Sequence, residues 1–440
     1  MINKLLDFLE EKVMPTAGKI AAQRHLVAVR NGLMLSLPLI IVGSLFLILA
    51  YIPIPGYDAF MANTFGDLWR TKLTYPVSAT FDLMAIFLSI GVSYYLAKSY
   101  SVDALFASAI SLSSFLLVTP YNIMFQPEGI EQTFTVSGIP IQFMGSQGMF
   151  VAIIIALIST EIYRFIIQKN IVITLPKGIP PAVAKSFTSL IPATAAIFTM
   201  WFLRLGIETT SFESVHTIIT SVLAKPLGLI GTTLGGAIMS VLIIQLLWSL
   251  GLHGVNITAS VLYPIWYALM DQNRMAFQAG ESLPHITTYQ FFFNWVFMGG
   301  AGATLALVFL FTFFGKSKQV KSLGKLSIGS SVFNINEPVI FGTPIILNPL
   351  LIIPFILAPI VITLISYFAM DLGFVARPSG IAVPWTTPIF ISGYLATGGK
   401  ISGVILQAIN FIVSVFIYYP FFNIWDKRKL QEEKENSDTN

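Results

Sequence analysis

Residues 326–348 read LSIGSSVFNINEPVIFGTPIILN, and this stretch decides which fold the chain adopts. It is apolar on average, yet four residues that interrupt helices are spread along it: Gly329, Pro338, Gly342 and Pro344. Proline removes a backbone hydrogen bond and its ring clashes with the preceding turn, so a continuous helix is disfavoured here. The pattern predicts a re-entrant hairpin rather than a plain membrane-spanning helix.

A second stretch with the same character is PSGIAVPWTTPIFISGYLATGG, residues 378–399. Irregular backbone at membrane depth is tolerated only where protein buries it or where it lines a wet cavity. Both stretches lie in the second half of the chain. We therefore expect residues 1–206 to form a scaffold, 207–228 a linker, 229–425 the domain that holds the site, and 426–440 a cytoplasmic tail.

The composition of the whole chain is that of a membrane protein. Its 440 residues are 55% hydrophobic and 10% charged, with a mean hydropathy of +0.78, whereas soluble domains carry about 25% charged residues. This excludes a soluble globular enzyme. The sequence contains 36 Phe but only 25 Lys and Arg and 21 Asp and Glu. So many aromatic and so few charged residues exclude a nucleic-acid binder and a disordered chain. Because the sequence has no Cys, it has no disulfide, no thiolate metal site and no phosphocysteine of its own.

Apolar blocks of roughly 20 residues are long enough, as helices, to cross a hydrocarbon core of about 30 Å. They predict an all-α polytopic fold with about ten crossings in addition to the two hairpins. The candidate spans are residues 31–52, 81–97, 104–121, 148–168, 187–206, 229–250, 255–270, 288–314, 349–369 and 400–423. The GGAGA run at residues 299–303 suggests close helix packing inside one of these spans.

The distribution of charge predicts the orientation in the membrane. Residues 4–30, 164–185, 316–325 and 427–429 are rich in Lys and Arg, whereas residues 122–147 contain neither. The net charge of +4 reflects this excess of cytoplasmic cations. The positive-inside rule then places both termini in the cytoplasm, which an even number of crossings also requires.

The N-terminal segment has no apolar core of the kind found in a signal peptide. Its apolar residues instead share one face of a helix: Ile2, Leu5, Leu6, Leu9 and Val13. This pattern predicts an amphipathic helix. Such a helix either lies on the membrane surface or caps a cytoplasmic domain, and the sequence leaves both alternatives open.

Two isolated ionisable residues stand inside long apolar tracts. Apart from tyrosines, His253 is the only ionisable residue between residues 226 and 270, and Glu337 is the only one between residues 326 and 370. An ionisable group within membrane-spanning sequence is costly and usually faces a cavity, a partner or a substrate. The alternatives are a structural carboxylic acid that caps a turn, and a histidine that is satisfied in the core or lies near the membrane surface.

The neighbours of these two residues predict a carbohydrate site. Asn334 and Asn336 flank Glu337, and Asn256 follows His253, so amide donors and acceptors surround an acid and an imidazole. Sugars also present apolar faces that stack on indole rings, which makes Trp248 and Trp385 candidates. For either tryptophan, an anchor at the membrane interface is the alternative.

Other recognisable chemistry is missing from the sequence. It has no phosphate loop of the Walker type, no HExxH and no GxSxG, and we predict neither a metal nor a cofactor. The three remaining histidines lie in polar flanks, where we expect them to be solvated: His25, His216 and His285.

The residues around the two ionisable groups are also familiar. SLGLHGVN, which contains His253, and the triplet Asn336, Glu337, Pro338 followed by VIFGTP resemble the membrane component, enzyme IIC, of sugar phosphotransferase systems. The similarity is to the lactose, cellobiose and N,N'-diacetylchitobiose family. It covers nearly the whole chain, with the diacetylchitobiose and cellobiose permeases as the nearest members.

This resemblance implies a multi-pass protein of the bacterial cytoplasmic membrane, embedded in lipid, that acts as the permease subunit of a sugar phosphotransferase complex. It implies a homodimer with its interface in the N-terminal domain, and a C-terminal domain that carries a disaccharide inward by an elevator motion. Glu337 and His253 would approach the 6-hydroxyl of the sugar, as the catalytic pair. The phosphoryl donor would be a phosphocysteine on a separate soluble IIB protein, which a IIA protein phosphorylates.

The chemistry of the pair is compatible with this implication. A sugar hydroxyl is a weak nucleophile, and a carboxylate or an imidazole beside it can accept its proton as phosphoryl transfer proceeds. Our hypothesis is that Glu337 orients and deprotonates the hydroxyl. His253 would hydrogen-bond the same oxygen or the incoming phosphoryl group.

Two other classes of protein also fit parts of the pattern. An ion-coupled secondary transporter that releases unmodified sugar would use Glu337 as its proton site, and broken helices suit that class as well. A purely structural or channel protein would leave the two isolated ionisable groups unexplained.

Overall fold

The computed structural model of the protein describes residues 14–52, 54–126, 132–176, 178–224, 231–343, 345–346 and 348–438. These residues are mostly helical, as the sequence predicts. The predicted amphipathic segment between Ile2 and Val13 lies outside the described residues.

The first half of the described chain contains twelve helices and two strands. They are α1 Met14–Ala21, α2 Arg24–Ala50, α3 Tyr57–Phe65, α4 Trp69–Leu73, α5 Tyr75–Phe81, α6 Met84–Ser99, α7 Ala104–Val118, β1 Asn122–Phe125, β2 Phe134–Ser137, α8 Ile141–Met144, α9 Met149–Gln168, α10 Pro181–Thr188, α11 Leu190–Glu208 and α12 Val215–Ile219. A 3₁₀ turn, Ser146–Gly148, precedes α9, and a π-helical turn, Thr220–Ala224, follows α12.

The second half is also helical, but its helices are interrupted more often. They are α13 Leu234–Ser249, α14 Gly254–Ala279, α15 Tyr289–Phe291, α16 Leu305–Phe314, α17 Lys318–Val332, α18 Glu337–Gly342, α19 Pro349–Asp371, α20 Ile391–Ala396 and α21 Ile401–Asp438. A π-helical turn, Phe292–Val296, and a 3₁₀ turn, Ala301–Ala303, lie between α15 and α16.

Several helices have the length and the apolar composition of membrane spans. In the described part of the chain five qualify by themselves: Arg24–Ala50, Ser146–Gln168, Pro181–Glu208, Leu350–Asp371 and Ile401–Glu435. Two further pairs qualify jointly but are bent, by 41° between α5 and α6 and by 59° between the segment Tyr289–Ala303 and α16. The chain therefore has the architecture of a polytopic membrane protein, whereas the number of ten crossings stays a prediction.

The two stretches that the sequence predicts to be broken are broken in the structure. Within residues 326–348, α17 ends at Val332, a turn follows, and the six-residue α18 begins at Glu337. Within residues 378–399 the backbone is irregular except for α20.

The candidate span over residues 288–314 is apolar enough to cross a membrane but is bent by 59° before α16, and its crossing of the membrane stays a prediction. The chain leaves helical geometry within the GGAGA run, where Gly299, Gly300 and Gly302 have φ angles of +77°, +93° and +84°. Glycine adopts this left-handed region without the steric penalty that a Cβ atom brings. The run therefore breaks the helix, and it also lies close against α19, where a Cβ atom on Gly302 would be 2.2 Å from the ring of Phe355.

The loop after α7 also departs from the all-α prediction. β1 and β2 pair antiparallel, from Asn122 opposite Ser137 to Phe125 opposite Phe134. Both strands contain the β-branched and aromatic side chains that favour extended backbone. The all-α prediction thus holds for the bulk of the described chain, but not for this loop.

The chain divides into two compact units. The first unit comprises residues 22–43 and 74–228, and the second comprises the described parts of residues 1–21, 44–73 and 229–440. All the residues predicted for the carbohydrate site belong to the second unit. The roles of scaffold and transport domain, assigned above to residues 1–206 and 229–425, remain predictions.

Small residues allow the helices of the first unit to pack closely. A Cβ atom on Gly32 of α2 would lie 2.6 Å from the side chain of Val92 on α6, so only glycine fits there. At the next residue of α6, the buried Ser93 hydroxyl lies 2.7 Å from the hydroxyl of Thr160 on α9. Close approach and hydrogen bonds between hydroxyl groups are typical of helix packing in membranes.

Buried amide side chains connect the interrupted segments of the second unit. Asn410 on α21 donates hydrogen bonds to the carbonyl oxygen of Trp295 at 3.0 Å and to the hydroxyl of Ser366 at 2.7 Å. Gln407, one turn earlier, donates to the carbonyl oxygen of Asn294 at 2.7 Å. These bonds satisfy carbonyl groups at the π-helical turn, where the regular helical pattern is lost.

The prediction that His216 is solvated is wrong. The residue is 2% exposed, its ring stacks on Phe143 with a centroid distance of 4.2 Å, and its Nε2 lies 3.0 Å from the hydroxyl of Thr119. The apolar surroundings disfavour the charged imidazolium, and burial lowers the pKa of His216 to about 4.

This burial predicts a pH-dependent stability. Between pH 6.5 and about 4, the unfolded chain binds a proton at His216 that the folded chain does not bind, so stability falls as the pH falls through this range. The loss should reach up to about 3 kcal/mol near pH 4. We expect His216→Gln to flatten the dependence of the thermal unfolding midpoint on pH, measured by tryptophan fluorescence in detergent.

The control is His25→Gln, which changes a histidine at a partly exposed ion pair with Glu161 and should keep the pH dependence that His216 contributes. A constant difference between the midpoints of the parent and His216→Gln from pH 7 to 4.5 would contradict the assignment.

Candidate functional site

His253 lies in a tight connection between α13 and α14. Gly251 has a φ angle of +79°, and a Cβ atom on Gly254 would lie 2.1 Å from the carbonyl oxygen of Ile244, so the glycines that flank the histidine are required by the backbone. His253 is the N-cap of α14, where its Nδ1 accepts a hydrogen bond from the backbone N–H of Asn256 at 3.2 Å. Because Nδ1 is the acceptor, a neutral ring carries its proton on Nε2.

Glu337 lies opposite this ring nitrogen, at the first residue of α18. Its Oε1 is 4.0 Å from Nε2 of His253, and the two side chains are 46% and 41% exposed. This separation is too long for a direct hydrogen bond. A hydroxyl oxygen placed between the two groups could lie about 2.8 Å from each. The structure therefore brings together the two ionisable residues that the sequence singles out, at a separation that one hydroxyl group could bridge from the side.

The two tryptophans differ in their surroundings. Trp248 is 4% exposed, and its ring centroid lies 4.4 Å from that of His253 at an angle of 44°. Its contact thus fixes the position of the imidazole. Trp385 is half-buried on the irregular segment before α20. Its carbonyl oxygen accepts a hydrogen bond from Asn334 at 2.6 Å.

Asn334 joins three interrupted segments beneath the pair. It is 8% exposed and has a φ angle of +63°. Its Oδ1 accepts from the backbone N–H of Gly299 at 2.7 Å, and its Nδ2 donates to the carbonyl oxygens of Trp385 at 2.6 Å and Thr387 at 3.1 Å. The side chain therefore links the turn before Glu337 to two other segments that lack helical hydrogen bonds.

Asn336 anchors the other side of the same turn. Its Nδ2 donates to the carbonyl oxygen of Ala301 at 2.7 Å and to the hydroxyl of Thr304 at 3.0 Å. A Cβ atom on Gly300 would lie 2.4 Å from the side-chain Cγ of Asn336. Both asparagines thus bind backbone, and a contact of either with a sugar stays a prediction.

Sequence reasoning missed a buried ion pair and further buried amides in this unit. Arg274 Nε donates to Asp271 Oδ1 at 2.7 Å, and both side chains are 4% exposed. Asn273, between them, donates to the carbonyl oxygens of His285 and Pro378. The i, i+3 spacing of the ion pair on one helix was the available signal. Among the residues that the structure describes, no cluster of three His, Cys, Asp or Glu side chains could hold a metal ion.

His285 is also less solvated than the sequence suggests. Its Nε2 lies 2.5 Å from Gln272 Oε1, and its backbone N–H donates to Asn273. Partial burial lowers the pKa of this imidazole, and the positive charge of Arg377 adds to the shift. His285 therefore helps to anchor residues 281–288 to α14.

The linking role of Asn334 predicts a large effect of its removal. Asn334→Ala deletes three hydrogen bonds and places alanine in a left-handed conformation, and we expect a loss of about 3 kcal/mol of folding free energy. The measurement is the thermal unfolding midpoint of the purified protein.

Asn170→Ala provides a matched control. Asn170 is also left-handed, with a φ angle of +55°, but its side chain is exposed. Asn170→Ala should therefore lose only the folding free energy that the left-handed conformation costs alanine, about 1 kcal/mol. Equal losses in the two variants would mean that the hydrogen bonds of Asn334 contribute nothing.

Comparison with known proteins places the chain in a family. The sequence model described as "Phosphotransferase system, EIIC" matches residues 30–359. The cellobiose-specific EIIC component of Geobacillus stearothermophilus is 58% identical over 98% of this chain and 97% of its own length. The lichenan permease IIC component of Bacillus subtilis (strain 168) is 56% identical over 99% and 96%.

A solved structure is similar in three dimensions. It is the crystal structure of the transporter ChbC, the IIC component from the N,N'-diacetylchitobiose-specific phosphotransferase system. The two chains share 54% identity and superpose with a TM-score of 0.95 over 97% of this chain and 99% of the other. The resemblance of the motifs around His253 and Glu337 is thereby confirmed, and the chain belongs to the phosphotransferase system EIIC family.

Proposed function

We propose that this protein binds a β-linked disaccharide, moves it inward across the membrane and presents its 6-hydroxyl to a phosphorylated IIB protein. The observation that carries the proposal is the pairing of His253 with Glu337 across 4.0 Å, with both side chains accessible. Glu337 begins the short helix α18 and His253 lies in the break between α13 and α14, and such helix breaks are common at the substrate sites of transporters.

The chemistry of transfer uses both groups. The sugar oxygen attacks phosphorus, a P–O bond forms, and the P–S bond to the cysteine of IIB breaks, so that a thiolate leaves. The hydroxyl proton passes to the Glu337 carboxylate. The Nε2–H of His253 hydrogen-bonds the reacting oxygen or an oxygen of the phosphoryl group and so orients it. Neither a metal nor a cofactor is part of this scheme.

The substrate class is supported by the relatives. Their names specify cellobiose, lichenan and N,N'-diacetylchitobiose. We propose a β-linked disaccharide of the cellobiose or diacetylchitobiose type, held by Asn256 near the reacting hydroxyl and by the ring of Trp385. The buried Trp248 would act on the substrate through the imidazole of His253, which it contacts. Asn334 and Asn336 would act on the substrate through the turn that they anchor.

The proposed transport cycle uses the predicted division of the chain into a scaffold, a linker and a transport domain. We propose that residues 229–425 move as an elevator against a scaffold within residues 1–206, with residues 207–228 as the linker, and that the protein is a homodimer in the bacterial cytoplasmic membrane with both termini inside. Support for a dimer interface on the scaffold comes from the span Pro181–Glu208. Only 17% of it is buried, against 33–44% for the other four spans. Its open face also carries the exposed aromatic side chains Trp201 and Phe202.

The base role of Glu337 is tested by Glu337→Gln, which preserves the shape of the side chain. We expect it to retain most of the sugar affinity and to lower the rate of phosphoryl transfer from phosphorylated IIB at least about a hundredfold, the lower bound usual for general base catalysis. The measurements are sugar binding by calorimetry and sugar phosphate formation with purified components. If Glu337→Gln binds sugar and transfers at the parent rate, Glu337 is not the base.

Substrate identity is tested by titrating cellobiose, diacetylchitobiose and lactose into the parent and into His253→Ala. We expect one β-linked disaccharide to bind selectively, and His253→Ala to lose at least about tenfold in affinity, because a hydrogen bond to a buried sugar oxygen is removed. His285→Ala is the matched histidine control and should bind as the parent does. Uptake of unmodified sugar driven by a proton gradient, without IIB, would instead favour an ion-coupled transporter.

A further inference from the structure

Helix α17, which leads from residue 318 to the turn before Glu337, has one buried and one open face. The buried stripe follows helical spacing: Val320, Gly324, Ser327 and Ser331. A Cβ atom on Gly324 would lie 2.6 Å from the backbone nitrogen of Thr312, so this face lies tightly against α16.

The open face combines positive charge with apolar side chains. We call five of the exposed residues on α17 and at its C-cap the lysine strip: Lys318, Lys321, Lys325, Leu326 and Phe333. Leu326 is 78% exposed and Phe333 is 51% exposed. The sequence from Lys318 to Phe333 contains no Asp or Glu. Glu433 of α21 lies beside Lys318 and partly offsets its positive charge.

The start of α17 is held in place by two carboxylates of α21. Asp426 accepts hydrogen bonds from the backbone N–H groups of Lys316 and Ser317 at 3.0–3.1 Å. Glu433 accepts from the N–H groups of Lys318 at 3.1 Å and Gln319 at 2.8 Å. Helix starts have free N–H groups, and these bonds satisfy them. The lysine strip is therefore a fixed surface rather than a flexible loop.

The strip ends at the candidate site. Val332 lies seven positions after Lys325, which is a rise of about 10 Å along the helix. Glu337 follows after the turn that begins at Phe333. Helix α18 itself carries an exposed apolar side chain, Phe341 at 61%. A protein that delivers a phosphoryl group to a sugar hydroxyl beside Glu337 must therefore lie close to this strip.

We propose, on the basis of the proposed function, that the lysine strip is the docking surface for the phosphorylated IIB protein. The occupant has a stated chemistry: a soluble protein whose phosphocysteine carries negative charge. The positive charges of Lys321 and Lys325 would attract such a surface and raise the association rate. Leu326 and Phe333 provide the apolar contacts that supply affinity at the centre of an interface.

The test is the charge reversal Lys321→Glu with Lys325→Glu. With phosphorylated IIB as the varied substrate and sugar at saturation, we expect the KM for IIB to rise at least about tenfold while kcat changes less than about twofold, because the strip acts on encounter and not on chemistry. Sugar affinity should equal that of the parent, which also reports correct folding. The KM of the parent should rise with salt more steeply than the KM of the variant.

The matched control reverses two exposed lysines of the first unit, Lys98→Glu with Lys169→Glu, and makes the same change in net charge. An unchanged KM in the Lys321/Lys325 variant, or an equal rise in the control, overturns the proposal. A rise that occurs only in bilayers with anionic lipid, and disappears in zwitterionic nanodiscs, shows that the strip binds lipid and also overturns it. If the parent itself transfers no phosphoryl group from IIB, the proposed function has failed, and not only this docking surface.

Discussion

The second unit depends on one constraint: backbone groups that lie outside regular helices, in a chain surrounded by lipid, need hydrogen-bond partners from the protein. Asparagine and glutamine side chains supply them, since one amide can donate and accept at the same time. Gln407 is a clear case. Its Oε1 accepts from the N–H groups of Phe390 and Gly393, and its Nε2 donates to the carbonyl oxygen of Asn294.

This way of building the unit explains how an acid and an imidazole can be presented at an accessible position. A continuous helix would bury its own polar backbone, and its side chains would point outward at fixed intervals. Interrupted segments allow Glu337 and His253 to approach from different elements, while Asn334 and Asn336 hold the turn beneath them. The resulting pair is both accessible and constrained in position, which is what preorganised chemistry requires.

The features that could be predicted from the sequence are those in which a residue carries a large free-energy cost in its surroundings. An isolated Glu337 or His253 in an apolar tract is costly, and a proline or glycine in the wrong place ends a helix, so the pair and both broken stretches could be predicted. The break at residues 299–303 could not, since the same glycines also suit close helix packing. The environment of His216 was hidden because Phe143, on which it stacks, is distant in sequence.

The asparagines mark a subtler limit. An amide that faces a sugar and an amide that faces a carbonyl group of the chain look identical in sequence, because both need the same donors and acceptors. Only the fold shows that the hydrogens of Asn334 and Asn336 are directed to backbone. The meeting of the two ionisable residues was thus predictable, whereas the roles of the surrounding polar residues were not.

The cap that α21 provides for α17 has a consequence for anyone who modifies this protein. Residues 426–433 resemble an expendable charged tail in sequence, yet Asp426 and Glu433 fix the beginning of the helix that carries the site turn. Reporter domains or purification tags should therefore be joined after residue 433 and not before it. The second unit therefore needs the chain at least as far as these two carboxylates, beyond the point where the apolar sequence ends.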